Sequence, residues 1–396
     1  LASEYVPRLL VVDDNADNRD VLTRRLRRLG HSNVDMAEDG QDALDAITAQ
    51  ALQGAPYDAV LLDVMMPRMN GVAVLEALAA DPRLAQTPVI MISAATEIET
   101  VVRCIELGAE DYLPKPFNPV LLRARLGTVL EKKRLRDEVT RQLLRFEREL
   151  AEARRQQLSM VPDEFPAPES ANPAAVHAVM FPAREIGGDL YDCFVAAPGV
   201  LCIAVGDVSD KGVPAALFMA RTRSLLRASA LQHAEAAGAP PTPSRLAAVL
   251  NEELCKNNPR GMFVTLLVGF FELATGRFSF VNAGHLRPFR LTPGSPVSEI
   301  ASRPAPPLGV REGLVHATHE AVLDRGEAIV MITDGLPEMT GPGGDFYGLE
   351  RIVADLTGLL DAMPEIITAT LAGNVRAFAA GTQAADDVTV LALRRL

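Results

Sequence analysis

The chain has 396 residues, which at roughly 100–200 residues per domain predicts two or three domains. Apolar residues make up 48% and charged residues 23%, so there is material for packed cores and disorder is excluded as the main state. The net charge of −12 (39 basic against 51 acidic residues) argues against nonspecific nucleic-acid binding and against docking on anionic lipid.

Cys104, Cys193, Cys202 and Cys255 lie far apart and form no Cys-x-x-Cys pair. They read as reduced core residues of a cytoplasmic protein, not as a zinc knuckle or disulfide scaffold. No stretch approaches about 18 uninterrupted apolar residues. The best run, Phe263–Phe271, contains Thr265 and Gly269. No membrane insertion and no signal peptide are therefore expected. The chain opens at Leu1 rather than Met, as a trimmed terminus does.

Charge divides the chain into three segments. Residues 1–117 carry 10 basic and 19 acidic residues, net −9. Residues 118–160 carry 11 and 6, net +5, and residues 161–396 carry 18 and 26, net −8.

In the first segment, Leu9–Val12, Ala59–Leu62 and Val89–Ile92 are short apolar runs, as expected of strands buried on both faces. A weaker strand is expected around Val34–Met36. Helical stretches such as Asn18–Leu29 and Val72–Ala80 lie between, and this βαβα rhythm predicts a parallel doubly wound sheet. Ligands of such sheets gather beyond the carboxyl ends of the strands. Asp13, Asp14, Asp63, Ser93 and Lys115 fall there. Three carboxylates at one end of a sheet call for a cation, and a hard ion with oxygen ligands, Mg²⁺, suits them. A carboxylate beside such an ion can take a phosphoryl group, with Lys115 and Ser93 receiving its oxygens.

The segments Val11-Val12-Asp13-Asp14-Asn15, Leu62–Pro67 with Met69-Asn70-Gly71, Ser93-Ala94 and Lys115-Pro116-Phe117 together resemble the receiver domain of bacterial two-component response regulators. The resemblance implies that Asp63 takes phosphate from a sensor histidine kinase. It implies Mg²⁺ held by Asp13, Asp14, Asp63 and the Met65 carbonyl, switch roles for Ser93 and Tyr112 beside Lys115, and a cis Lys115–Pro116 peptide.

The basic segment 118–160 continues the last receiver helix. Val139, Leu143, Phe146, Leu150, Ala153, Gln157 and Met160 alternate in steps of four and three, a short heptad seam that predicts a coiled-coil linker and a homodimer. The bland alternative is one amphipathic helix lying on a domain.

The third segment opens with Pro162, Pro166, Pro168 and Pro173, a linker pattern. Acidic residues beside glycine follow. Gly187-Gly188-Asp189 comes first. The strand-like runs Val200–Val205 and Ala328–Ile332 end in Gly206-Asp207-Val208 and Thr333-Asp334-Gly335, and Asp386-Asp387-Val388-Thr389 leads into Val390–Leu393. With few histidines and no paired thiols, this set suits Mg²⁺ or Mn²⁺ better than Zn²⁺. Two such ions can activate a water and neutralise a phosphate without a protein nucleophile.

Taken with Asn282-Ala283-Gly284-His285 and Pro307-Leu308-Gly309, these segments resemble the bacterial branch of the metal-dependent PPM (PP2C-like) serine/threonine phosphatases, the sporulation and stress-response type. The resemblance implies an α+β fold, a β-sandwich flanked by helices, with two Mn²⁺ or Mg²⁺ ions at one end. It assigns Asp189, Asp207, Asp334 and Asp386 as the catalytic metal carboxylates and the Val208 carbonyl as a further ligand. Asp387 is the neighbour whose role is open. His285 is either a general acid or a structural residue, and Arg184 either a phosphate contact or a surface ion pair.

The whole chain thus reads as a multidomain response regulator: receiver 1–117, helical linker 118–160, phosphatase 161–396. Phosphorylation of Asp63 is expected to control a phosphatase acting on a phosphoserine or phosphothreonine protein, with an anti-sigma-factor antagonist as the substrate the resemblance suggests. The rival reading is an adaptor with a silent phosphatase fold that delivers a sigma factor or other client to a protease. Loss of the metal carboxylates would mark it, and all four are present. A DNA-binding output finds no support in the acidic third segment.

Overall fold

The computed structural model describes residues 6–94, 98–162, 165, 174–183, 186–382 and 384–396. Arg184 and the prolines Pro166, Pro168 and Pro173 lie outside the described residues. The chain forms two compact units, residues 1–146 and 147–396.

The first unit is an α/β layer structure. Strands β1 (Leu9–Val12), β2 (Val34–Ala37), β3 (Ala59–Asp63), β4 (Val89–Ala94) and β5 (Asp111–Lys115) form one parallel sheet in the order β2-β1-β3-β4-β5. Helices α1 (Ala16–Arg28), α2 (Gly40–Leu52), α3 (Gly71–Ala80), α4 (Ile98–Glu106) and α5 (Pro119–Leu158) connect or follow the strands. The sheet is buried on both faces, so β1 and β3 read as unbroken apolar runs. One face packs Leu10, Val12, Val60 and Leu62 against Val74 and Leu78 of α3, and the other packs Leu9, Val11, Leu61 and Ile90 against Leu22, Leu26 and Leu122. Helix α1 starts two residues before the expected Asn18, because the Asn15 side chain accepts from the amides of Asp17 and Asn18.

The second unit is a β-sandwich with helices on its two outer faces. One sheet holds β7 (Leu190–Ala197), β8 (Val200–Val208), β9 (Val264–Glu272), β10 (Arg277–Ala283) and β13 (His319–Val322), in the order β13-β10-β9-β8-β7. The other holds β6 (Ala174–Phe181), β11 (Phe289–Leu291), β12 (Ser298–Glu299), β14 (Ala328–Ile332) and β15 (Val388–Arg395), in the order β12-β11-β14-β15-β6. All pairings in both sheets are antiparallel. Alternate residues therefore build two cores per sheet. Tyr191, Leu201, Ile203 and Phe280 meet Val176, Met331 and Leu391 between the sheets. Cys202, Ala204 and Val268 pack outward on α6 (Val213–Ala237) and α7 (Pro243–Cys255), and Val330, Val390 and Ala392 on α8 (Gly348–Thr357) and α9 (Pro364–Ala379). The four cysteines are free, and Cys104, Cys193 and Cys202 are buried. Among the described residues no helix is long and apolar enough to cross a membrane.

The heptad seam divides. Val139, Leu143 and Phe146 are more than half exposed (56%, 58% and 60%), whereas Gln157 is buried at 5%. Ala153, Gln157 and Met160 line a recess with Ile186 and with Val213, Ala216 and Leu217 of α6. Gln157 is thus held within the second unit, where its carboxamide bonds the Gly187 backbone, while Met160 stays 41% exposed.

Candidate active sites: two aspartate clusters

The first cluster sits at the carboxyl ends of β1, β3 and β5. Carboxylate oxygens of Asp13, Asp14 and Asp63 lie within 4.8 Å of one another, the one such triple of possible metal ligands among the described residues. Lys115 reaches across from β5, with Nζ 2.9 Å from Asp13 Oδ2 and 2.8 Å from Asp63 Oδ2. Burial pushes the Asp63 carboxyl above its ordinary value, against the pull of Lys115. Burial lowers the Lys115 ammonium, and its two carboxylate partners more than offset this, leaving it raised. Ser93 is buried inside β4, Tyr112 is partly exposed under the guanidinium of Arg125, and Met65 follows β3 by two residues. The Lys115–Pro116 bond is cis. Asn18, in the first turn of α1, donates from Nδ2 to Asp13 at 3.0 Å, a contact with no signal in the sequence beyond that place.

The second cluster closes one end of the sandwich. Asp207 and Asp334 lie at the ends of β8 and β14, as expected from the strand-like runs. Asp189 and Asp386 instead precede β7 and β15. In antiparallel sheets the start of one strand lies beside the end of its neighbour, so all four reach the same edge, two from each sheet.

Asp189 is fully buried, and its Oδ2 accepts hydrogen bonds from Thr333 Oγ1 at 2.8 Å and Thr389 Oγ1 at 2.5 Å. Burial, then the charges of Asp207 and Asp387, push its carboxyl well above the usual carboxylate range. Asp207 is pushed up to about 7, by burial first and then by Asp334 and Asp386. Asp334 is raised by burial and by Asp386, and its Oδ1 is buried without a hydrogen-bond partner. Charges that repel one another, and an orphaned carboxylate oxygen, are the marks of a site that takes cations. The donor set is oxygen only, which fits Mg²⁺ or Mn²⁺.

Asp387 has a different task. Its Oδ1 accepts from the Ala183 amide at 2.8 Å, and its Oδ2 from the amides of Gly188 at 2.6 Å and Asp189 at 3.4 Å. It binds the Gly187-Gly188-Asp189 turn to the opposite sheet. That explains the glycine: a Cβ on Gly187 would stand 2.1 Å from Asp387 Oδ2, and one on Gly188 would stand 2.9 Å from the Val208 carbonyl. Neither glycine is needed for a positive φ; close approach is the reason. The Gln157 carboxamide grips the same turn from the end of α5, donating to the Gly187 carbonyl at 2.5 Å and accepting its amide at 3.1 Å.

His285 is set behind the cluster. Its Nδ1 is 3.0 Å from Thr265 Oγ1, which is 3.4 Å from the Asp207 carbonyl. Burial pulls its pKa down to about 4, which disfavours the imidazolium form. This favours the structural role over that of a general acid.

Comparison with known proteins follows the same division. The family model for stage II sporulation protein E (SpoIIE) matches residues 197–396, and the response regulator receiver domain model matches residues 9–127. The chain belongs to the SpoIIE family. It joins that family's PP2C-like domain to an N-terminal receiver, as a response regulator linked to a phosphatase domain. Protein IcfG of Synechocystis sp. is 29% identical over 243 residues, covering 56% of this chain and 38% of IcfG. The probable transcriptional regulator ycf27 of Cyanidium caldarium is 37% identical over 124 residues, covering 31% of this chain and 46% of that protein. The chain thus spans less than half the length of these curated relatives. The SiaA-PP2C domain of Pseudomonas aeruginosa shares the fold at a TM-score of 0.54, with 18% identity, covering 65% of this chain and 99% of the domain.

Proposed function

We propose that the chain is a cytoplasmic metal-dependent protein serine/threonine phosphatase controlled by phosphorylation of Asp63. The observation that carries this is the second cluster: four carboxylates from two sheets converge, and Asp334 Oδ1 is left buried and unpaired. Asp189, Asp207, Asp334, Asp386 and the Val208 carbonyl would hold two Mn²⁺ or Mg²⁺ ions. Such ions, when bound, polarise a phosphoryl group and make a water nucleophilic near neutral pH. The chain's own part is to keep these oxygens in place. Thr333 and Thr389 fix Asp189, and Asp387 fixes the turn that carries it.

In the receiver, Asp13, Asp14, Asp63 and the Met65 carbonyl would hold Mg²⁺. An Asp63 oxygen attacks the phosphorus of a phosphohistidine on a sensor kinase, and the imidazole leaves. Lys115, already on Asp63, stays with the acyl phosphate as its counter-ion. Ser93 and Tyr112 report the new group. The substrate class we infer is a phosphoserine or phosphothreonine protein, an anti-sigma-factor antagonist in a partner switch being the candidate. The exposed Val139, Leu143 and Phe146 favour a homodimer through residues 118–160.

The test is Mn²⁺-dependent hydrolysis of a small aryl phosphate by the native chain and by Asp207→Asn. Activity in the first and loss in the second is expected. If neither is active with metal saturating and Asp63 phosphorylated, the adaptor reading replaces this one. Sedimentation of the native chain and of Leu143→Glu with Phe146→Glu tests the dimer, which the double variant should dissolve.

A further inference from the structure

Lys211 is a basic residue in an acidic place. It lies four residues after Asp207, in the short loop between β8 and α6. Asp210 and Gly212, on either side of it, both have left-handed backbone conformations, φ 74° and 77°. A non-glycine residue is held there at a cost of roughly 1–2 kcal/mol. The loop thereby brings Lys211 Nζ to the Ala385 carbonyl, to which it donates, and to 2.9 Å from Asp386 Oδ2. Asp210 is turned the other way, toward Arg260 at 3.8 Å. Among the described residues, Lys211 is the one cation in an ion pair with any of Asp189, Asp207, Asp334, Asp386 and Asp387. Its side chain is still 37% exposed, so the ammonium stands at the open rim of the cluster.

An exposed ion pair contributes only about 0–1 kcal/mol, too little to account for a strained loop. Phosphate chemistry accounts for it better. A phosphate monoester arrives with close to two negative charges, and the cluster it approaches holds four carboxylates, Asp387 being tied to backbone amides. Two divalent cations leave that balance negative. A compact ammonium with three donors suits a phosphoryl oxygen without demanding one orientation. The Ala385 carbonyl anchors one donor, and the others are free to leave Asp386 once that carboxylate is engaged elsewhere.

We propose that Lys211 is a substrate-binding residue whose ammonium contacts a phosphoryl oxygen of the phosphoserine or phosphothreonine side chain. This rests on the metal-phosphatase reading above, and the experiment separates the two. The probe is inorganic phosphate, the product, followed by ³¹P line broadening with the full-length Mn²⁺-loaded chain. Asp334→Asn supplies the baseline for an ion held by the receiver. In Lys211→Gln, phosphate affinity should fall about tenfold, the loss of one charge-assisted hydrogen bond, with KM raised more than kcat is lowered. Lys211→Arg should restore most of it. Mn²⁺ affinity, measured by calorimetry, should be equal or tighter without the competing ammonium.

Unchanged phosphate affinity in Lys211→Gln, with Mn²⁺ bound, overturns the proposal alone. Weakened Mn²⁺ binding in both Lys211 variants also overturns it, since Lys211 would then serve the cluster and not the substrate. A native chain that binds no Mn²⁺ above the Asp334→Asn baseline removes this proposal and the phosphatase reading together.

Discussion

The two aspartate clusters are built on opposite principles. In the receiver, a lysine from β5 touches two of three carboxylates, and the three oxygens crowd within 4.8 Å. In the sandwich the carboxylates are more numerous and more spread, and the buried Asp189 has threonine hydroxyls but no cation. Internal neutralisation suits a carboxylate that must itself become a phosphoryl carrier. In the sandwich a lysine reaches Asp386 alone, and the repulsion left among Asp189, Asp207 and Asp334 suits the metal-holding role proposed for them.

The sharpest way to break this contrast is to remove one carboxylate from each site. Asp207→Asn or Asp334→Asn should lower Mn²⁺-dependent hydrolysis by about a thousandfold, while Asp63 still labels with a small-molecule phosphodonor. Asp63→Asn should do the reverse, abolishing labelling and any activation by the donor and leaving basal hydrolysis. A single variant that lost both would show that the sites are not separate.

Next in size is Asp387. Asp387→Ala leaves the amides of Ala183 and Gly188 without their acceptor, a loss of about 2–4 kcal/mol from the phosphatase unit. Asp387→Asn keeps one acceptor and should lose less. Differential scanning calorimetry reads both, and an equal effect on the receiver transition would contradict the assignment.

The pH dependence of metal binding separates the clusters more finely. The raised Asp207 carboxyl means that the metal-free folded unit holds a proton that the unfolded chain has shed. That stabilisation is complete below the ordinary carboxylate value of 3.8 and is lost as pH rises through about 7. Metal must displace the proton. Mn²⁺ affinity at the sandwich site should therefore rise about fivefold between pH 6 and 7, read by calorimetry as proton release in buffers of different ionisation enthalpy. A flat profile would mean that Asp207 is already ionised.

The smallest effect expected is at Gln157. Gln157→Leu removes two hydrogen bonds to Gly187 and should lower the stability of the phosphatase unit by about 1–2 kcal/mol, seen in chemical denaturation.

The receiver was legible because its central strands β1, β3 and β4 are buried on both faces and its site residues follow the strands in chain order. The sandwich was legible at its Asp-Gly positions but not in its wiring. Nothing in a one-dimensional pattern says that Thr389 bonds to a carboxylate 200 residues earlier. Nor does it say that Asp387, and not Asp386, accepts from the Ala183 and Gly188 amides. The heptad spacing shows a helix, but periodicity cannot tell that Gln157 has a buried backbone partner.

The pairing of β15 with β6 and β14 has a consequence for synthesis. Asp189 waits for Thr389, and the turn that carries it waits for Asp387. A nascent chain can fold its receiver once about a third of these residues have been translated, and remains without a phosphatase centre until β15 leaves the ribosome. Premature stop codons within β15 should therefore yield a protein with a folded receiver and no second aspartate cluster.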